Sequence, residues 1–417
     1  MPDRSSDTAI DLEDLDLWVG PRSRIDEVFA DLRAREGLTY VYEKNAAGDP
    51  FGGYWAVTRR DEIAEVSRRP EDFSSAKGTN VIDMPPDLTD FFGSIIAMDD
   101  PRHARLRRIV SRGFTPSALN DLRSDVERIA GEIVDSVAEA GSCDFVTDVA
   151  ARLPLRVIVD LMGIPRSQEQ FIFDATNRLL GVTDPEYVPD QTSQGRREAL
   201  RRTGHELDSL LNELARERIK KPRHDLISML VAGTDENLSP QDLSSFFILL
   251  VGAGNETTRN AVAHALLALT AFPDQRARWQ GDFEALAPLA VEEIVRWASP
   301  VLHMRRTVTA DGVRLGEQTF AAGDKVVLWY YSGNRDERTF VDPHRFEIGR
   351  QPNNHIAFGA PGPHFCLGAH LARREITVAY REIFRRLPDI RAVSEPVWMR
   401  NNFLNGIKHL QAEFTPA

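Results

Sequence analysis

Cysteine is scarce in this sequence: 417 residues hold two, Cys143 and Cys366. That count excludes a disulfide-stapled scaffold and any zinc module built on paired cysteines, and it suits a reducing, cytoplasmic setting. Long apolar runs are missing too. The longest, Phe246 to Ala253, falls far short of the roughly 20 residues a bilayer-spanning helix needs. The start, Met1 to Trp18, is acidic and polar, the opposite of an export signal, so a soluble protein is expected, with residues 1–20 poorly ordered. Basic charge is not in excess. Lys plus Arg number 51 against 63 Asp plus Glu, a net −12 that argues against nucleic acid as a partner. Solenoid or propeller repeats and low-complexity tracts are also absent. The remaining composition, 42 % hydrophobic and 27 % charged, is that of a soluble chain long enough to bury a large core.

Helical periodicity dominates what is present. Leu119, Leu122, Val126, Ile129, Ile133 and Val137 recur at three- and four-residue steps, with Thr115 and Pro116 as start signals and Gly141 as a stop. His205 to Lys220 shows the same spacing. Strand-like pieces are few: Tyr54 to Thr58, Val313 to Leu315 and Lys325 to Tyr330. The expected fold is mainly α with a small β part, as one domain over 1–417. The polar stretch Thr183 to Gln194 reads as a long surface connection or lid.

Ser239 as a cap and Pro240 at the first helical position open a helix that can run to Thr270, roughly 45 Å at 1.5 Å per residue. Its apolar run through Phe246 to Val251 predicts a central helix buried on every side. In its middle stands Asn255-Glu256-Thr257-Thr258. A carboxylate there costs several kcal/mol unless it is paired or faces a wet cavity. The segment alone leaves a structural polar cluster and a functional pair equally open.

The second marked segment is Phe358-Gly359-Ala360-Pro361-Gly362-Pro363-His364-Phe365-Cys366-Leu367-Gly368, ahead of the helix-like Ala369 to Leu387. Gly and Pro make a rigid loop whose backbone N–H groups can point inward and stabilise a thiolate, and Gly368 lets a flat group approach. Cys143 reads as inert packing. A zinc site from His364, Cys366 and His370 lacks paired ligand units. A cysteine nucleophile with a histidine base leaves Glu256 and Thr257 unexplained.

Together these segments resemble the cytochrome P-450 family of haem-thiolate monooxygenases. Phe358-Gly359, Gly362, His364, Cys366 and Gly368 match the family's haem loop, one residue longer before the cysteine than its commonest form. Ala253-Gly254-Asn255-Glu256-Thr257-Thr258 matches the central-helix motif. Glu293-Ile294-Val295-Arg296 matches the family's E-x-x-R. That tetrad recurs six times elsewhere, Glu256/Arg259 and Glu347/Arg350 included, but only Glu293 precedes a segment, Phe340 to Phe346, similar to the family's meander.

The resemblance implies a P-450 fold with the long central helix over haem b. Cys366 would be the axial iron ligand, with Phe358, Gly359 and Gly368 around the haem and His103, Arg107, Arg306 and His364 at its propionates. Glu256 and Thr257 would deliver protons during insertion of one oxygen atom from O2 into an unactivated C–H bond. Glu293, Arg296 and Arg345 would form a structural lock. Further matches, among them Ala290 to Pro300 and Leu371 to Ile376, are similar to a mycobacterial-type branch that hydroxylates the terminal (ω) carbon of methyl-branched lipids, isoprenoids or sterol side chains. On that likeness Ile96, Leu249, Gly252, Ala253, Val301, Leu302 and Phe403 are expected to line an apolar pocket, Gly252 leaving room over the iron. Electrons would come from NAD(P)H through a ferredoxin reductase and a ferredoxin, docked near Arg105, Arg108, Arg112, Arg373 and Arg374. Two alternatives remain: a peroxide-driven haem-thiolate enzyme, and a non-catalytic haem carrier or sensor that would not need the acid–alcohol pair.

Overall fold

A computed structural model describes residues 11–44, 50–83, 85–115, 123–232 and 238–416. The element that organises them is the central helix, Pro240–Ala271. Ser239 caps it as its spacing predicts, Oγ accepting from the Asp242 N–H at 3.0 Å. Helices Arg152–Met162, Glu169–Leu180, Phe283–Ala298 and Ala369–Arg386 pack around it. At Gly254 an added Cβ would sit 3.1 Å from Ile158 Cδ1, so a side chain there would make Ile158 give way. The periodic segment near Val126 is a helix over Arg123–Ala138; Pro116, Leu119 and Leu122 lie outside the described residues.

The β part is built on a five-stranded sheet of β1 (Thr39–Lys44), β2 (Pro50–Val57), β3 (Phe73–Ser74), β4 (His303–Val308) and β5 (Lys325–Trp329), in the order β1-β2-β5-β4-β3. Only β2 and β5 run parallel, Trp55 opposite Val326. A short hairpin, Val397–Trp398 with Ile407–His409, stands apart from that sheet. The fold is therefore mainly α with a small β part, as expected.

Two expectations need correction. Residues 11–20 are not loose: Leu15–Val19 is helical, and Trp18, 1 % exposed, stacks on Trp329 at 5.6 Å while its Nε1 donates to the Leu12 carbonyl. The stretch Thr183 to Gln194 is shorter and less superficial than its composition suggests. Thr192 caps a helix that begins at Ser193 and runs to Lys220, and Asp184 and Val188 are buried. Among the described residues no helix is long and apolar enough to cross a membrane.

Candidate active site

At 100° per residue, Leu249, Ala253 and Thr257 fall on one face of the central helix, and all three keep partial exposure while Phe246, Phe247, Ile248 and Val251 are buried. This stripe faces open space inside an otherwise buried helix. Thr257 Oγ1 donates to the Ala253 carbonyl at 2.9 Å. Glu256 is fully buried and in ion-pair contact with Arg259 one turn on, yet neither of its carboxylate oxygens receives a well-directed hydrogen bond. Burial raises its pKa, against the pull of Arg259 and Asn260. Arg259 is steadied from the neighbouring helix, donating to Asn177 Oδ1 at 3.0 Å, and Asn255 donates to Thr176 Oγ1 at 3.3 Å.

The cysteine loop is shaped by its glycines. Gly359 has φ of 84°, and at Gly362 a Cβ would fall 2.1 Å from the Ser67 carbonyl oxygen, so neither tolerates a side chain. Gly368 meets only open space on its Cβ side. The Cys366 N–H donates to the Phe358 carbonyl at 2.9 Å. Burial raises the Cys366 thiol, while the Gly368 N–H, Arg107 and Arg373 pull it down. Arg373 also lies over the Phe358 ring, 4.4 Å from its centroid.

Beside this loop His103, Arg107, Arg306 and His364 gather. The two imidazoles approach to 4.3 Å between centroids, and Arg107 Nη2 donates to the Phe365 carbonyl at 2.5 Å. Burial, then Arg306, His103 and Arg107, push His364 down to about 3. Burial also lowers Arg107 and Arg306, and neither forms an ion pair among the described residues. His103 Nε2 is buried without a partner. Arg306 is 5 % exposed and Arg107 half-buried, and neither bonds a carboxylate among the described residues, Asp99 acting on Arg306 only from a distance, so the two guanidinium groups can receive an anion. A flat group bearing two carboxylates, placed against a thiol and an open glycine, satisfies all of these needs. The residues present fit haem b.

Other assignments change. The Glu293–Arg296 lock forms, Nε to Oε2 at 2.7 Å and Nη2 to Oε1 at 2.8 Å, but its third guanidinium belongs to Arg350, whose Nε lies 3.0 and 3.2 Å from the two carboxylate oxygens. Arg345 contributes only its carbonyl, which accepts from Arg350 Nη2 at 2.7 Å. Gly252 points away from the stripe: its Cβ would meet Leu180 and Leu179 at 3.5 and 3.6 Å, so it leaves no room over the site. Leu302 is core, buried with Trp18, Val327 and Trp329. Ile96, Val301 and Phe403 stay partly exposed, as pocket-lining residues must. Arg373 is tied to Glu292, at 2.9 Å for Nη2 to Oε2, in a cluster of three that also includes His355. Burial pushes Cys143 up to about 12, in keeping with an inert thiol. No His, Cys, Asp and Glu cluster among the described residues could hold a metal ion, which removes the zinc reading.

Sequence reasoning missed Arg350, although it ends the Glu347/Arg350 tetrad. It also missed two buried histidines. His303 Nδ1 lies 3.0 Å from the Asn402 carbonyl and His264 Nε2 3.0 Å from that of Asn405, both kept neutral by burial, at about 4 and about 3. Nothing local in the sequence marks either one.

Comparison with known proteins agrees with this site. The sequence pattern of the family described as "Cytochrome P450" matches residues 57–388. A methyl-branched lipid omega-hydroxylase of Mycobacterium tuberculosis (strain CDC 1551 / Oshkosh) is 45 % identical over 407 residues, 96 % of this chain and 94 % of its own length. A steroid C26-monooxygenase of Rhodococcus jostii is 40 % identical over 372 residues, 88 % of this chain and 76 % of that protein. A Mycobacterium marinum cytochrome P450 solved in complex with pseudoionone superimposes with a TM-score of 0.92 at 39 % identity, covering 99 % of this chain and 100 % of that one.

Proposed function

The chain belongs to the cytochrome P450 family, is a monooxygenase and binds haem b; on that premise we propose that it hydroxylates the terminal carbon of a methyl-branched lipid, isoprenoid or sterol side chain, with Cys366 as the thiolate that would hold the iron. The observation that carries the site is Arg107, which bonds the cysteine loop through the Phe365 carbonyl and stands in the cation cluster without a carboxylate of its own. Haem held by a thiolate supplies oxygen activation, the sulfur donating the electron density that favours O–O cleavage. His103, Arg107, Arg306 and His364 would hold the propionates, and the open side of Gly368 would admit the ring.

Protons must then enter a buried apolar helix. Glu256 is suited to carry them, because its raised pKa and undirected oxygens let it take up a proton and release it. Thr257 Oγ1, on the cavity stripe one residue on, would pass that proton from the helix into the cavity. Leu249 and Ala253, with Ile96, Val301 and Phe403, exclude water and fix which carbon is presented. Electrons come from a ferredoxin and its reductase, docked where Phe365 is 39 % exposed and bonded by Arg107, whose helix Arg102–Ser111 also carries Arg105 and Arg108 and ends at Arg112. The protein works in the cytoplasm as a single P450 unit.

The reduced protein under carbon monoxide is expected to show the red-shifted Soret band of a thiolate-ligated haem, and Cys366→His to lose it. A wild-type band at the ordinary histidine-ligated position overturns Cys366 ligation. Turnover with a ferredoxin system and a methyl-branched fatty acid is expected to give the terminal alcohol. If branched and isoprenoid lipids are neither bound nor oxidised, the substrate reading fails.

A further inference from the structure

One buried polar cluster has no part in the site described above. It lies at the root of the lid, where Asp184 is 1 % exposed despite its polar neighbourhood. Its carboxylate accepts from three directions: the Arg400 N–H at 2.8 Å, Lys408 Nζ at 3.0 Å and the Glu186 N–H at 3.0 Å. Thr183 Oγ1 donates to the Arg400 carbonyl at 2.6 Å, so both backbone groups of Arg400 are held by adjacent lid residues. Asn401 Nδ2 reaches back to the Leu180 carbonyl at 2.6 Å.

The same turn carries Phe403, which is expected to line the pocket and keeps partial exposure. Asn401 Oδ1 accepts from the Phe403 and Leu404 N–H groups at 2.6 and 3.0 Å. The Phe403 carbonyl accepts from the Leu302 N–H at 2.8 Å, and the Phe403 ring meets His303 edge-on at 5.4 Å. Asn401 is therefore bonded on one side to the last residue of the Glu169–Leu180 helix and on the other to a pocket-lining phenylalanine. A buried carboxylate with three donors has one low-energy position, and a chain of short polar contacts transmits that position because packed interiors do not stretch.

We infer that Asp184 is a positioning residue: it locks the lid root to the turn 400–405 and so fixes Phe403 against the substrate, setting which carbon of a flexible chain is oxidised. The inference rests on the proposed terminal hydroxylation and on Phe403 lining the pocket. Terminal and adjacent carbons differ little in environment, so a misplacement of about 1 Å is enough to change the product.

The test uses the haem-loaded, full-length protein with Asp184→Ala, Asp184→Asn and Thr183→Val. Three quantities are read: amide hydrogen exchange over 180–190 and 399–406, the affinity for a methyl-branched fatty acid from its spectral shift, and the ratio of terminal to subterminal alcohol. Asp184→Ala is expected to speed exchange in both segments, to weaken binding by about threefold to tenfold and to shift the ratio toward the subterminal product by a similar factor. Thr183→Val moves all three the same way by less. Asp184→Asn, which keeps an acceptor for the Arg400 N–H, recovers part of the loss. Glu284→Gln, at a surface pair with Arg381, changes none of them. Faster exchange over 180–190 with 399–406 and the product ratio unaltered overturns the inference. If Asp184→Ala does not fold, the same unaltered pattern in Thr183→Val overturns it. Should the wild type oxidise no branched lipid, the substrate reading fails, while the exchange coupling still decides whether Asp184 joins lid and turn.

Discussion

Two Glu-x-x-Arg tetrads lie on buried helix faces of this protein and have opposite surroundings. Glu293 takes both donors of Arg296, the Nε of Arg350, the Glu347 N–H at 2.9 Å and Asn353 Nδ2 at 3.2 Å. Arg296 goes on to the carbonyls of Asn334 and Pro343 at 2.8 and 3.0 Å. Glu256 is buried as deeply and touches Arg259, yet receives no well-directed hydrogen bond, and burial raises its pKa. The same four-residue pattern thus serves two ends. A saturated ion pair fastens the meander to its helix. One left short of donors can change its protonation state, as a proton relay must.

The largest effect expected from this contrast is at Glu293. Glu293→Gln leaves Arg296 and Arg350 buried without a counter-charge, which costs about 3–5 kcal/mol. Thermal unfolding and the yield of soluble haem-loaded protein measure it. A variant that melts with the wild type would erase the distinction between the two tetrads.

Glu256→Gln should strike the chemistry harder than the fold: it takes the carboxylate from one buried guanidinium, Arg259, which still donates to Asn177 Oδ1 at 3.0 Å, where Glu293→Gln strands two. A carboxyl whose native pKa is raised contributes its stability below the ordinary value, and that contribution is lost as the pH climbs through the native value. Gln imitates the protonated form, so the variant is expected to gain stability relative to wild type as the pH rises from 4.5 to 8, while turnover falls about a hundredfold. Melting curves across that pH range and product formation with its solvent isotope effect check both halves. Equal turnover in the two proteins would remove Glu256 from the proton path, and a loss of stability at pH 8 would make it a second lock.

How far the sequence discloses the site follows from the same physics. Conformationally forced features are legible: the Ser239 cap, and Gly362, where the Ser67 carbonyl leaves no space for a Cβ. The central helix, expected to be buried on every side, instead keeps the stripe of Leu249, Ala253 and Thr257 open. Errors arise one step off a period. Gly252 is 100° from Ala253 and faces Leu179 and Leu180, while Leu302 and Val301, adjacent at the start of an extended segment, point to opposite sides. The buried tie from Asp184 to Arg400 joins residues 216 positions apart, and no local pattern encodes it.

The meander is the least legible segment, because irregular backbone has no period to say which arginine turns inward. Arg345 and Arg350 flank Phe346 to Gly349, and only the fold decides between them. The Arg345 side chain is 58 % exposed and stands 3.8 Å from an exposed Asp274, while its carbonyl carries the bonds to Arg296 and Arg350 at 3.4 and 2.7 Å. Alanine keeps that carbonyl, so Arg345→Ala should alter stability by less than about 0.5 kcal/mol. Arg350→Ala removes two bonds to a buried carboxylate and should cost about 2 kcal/mol, less than loss of Glu293 because Arg296 still neutralises it. Melting temperatures of the two variants, measured side by side, decide the point. Equal damage from both would mean that the Arg345 guanidinium works inside the lock, and that the meander packs against its helix in a register different from the one described.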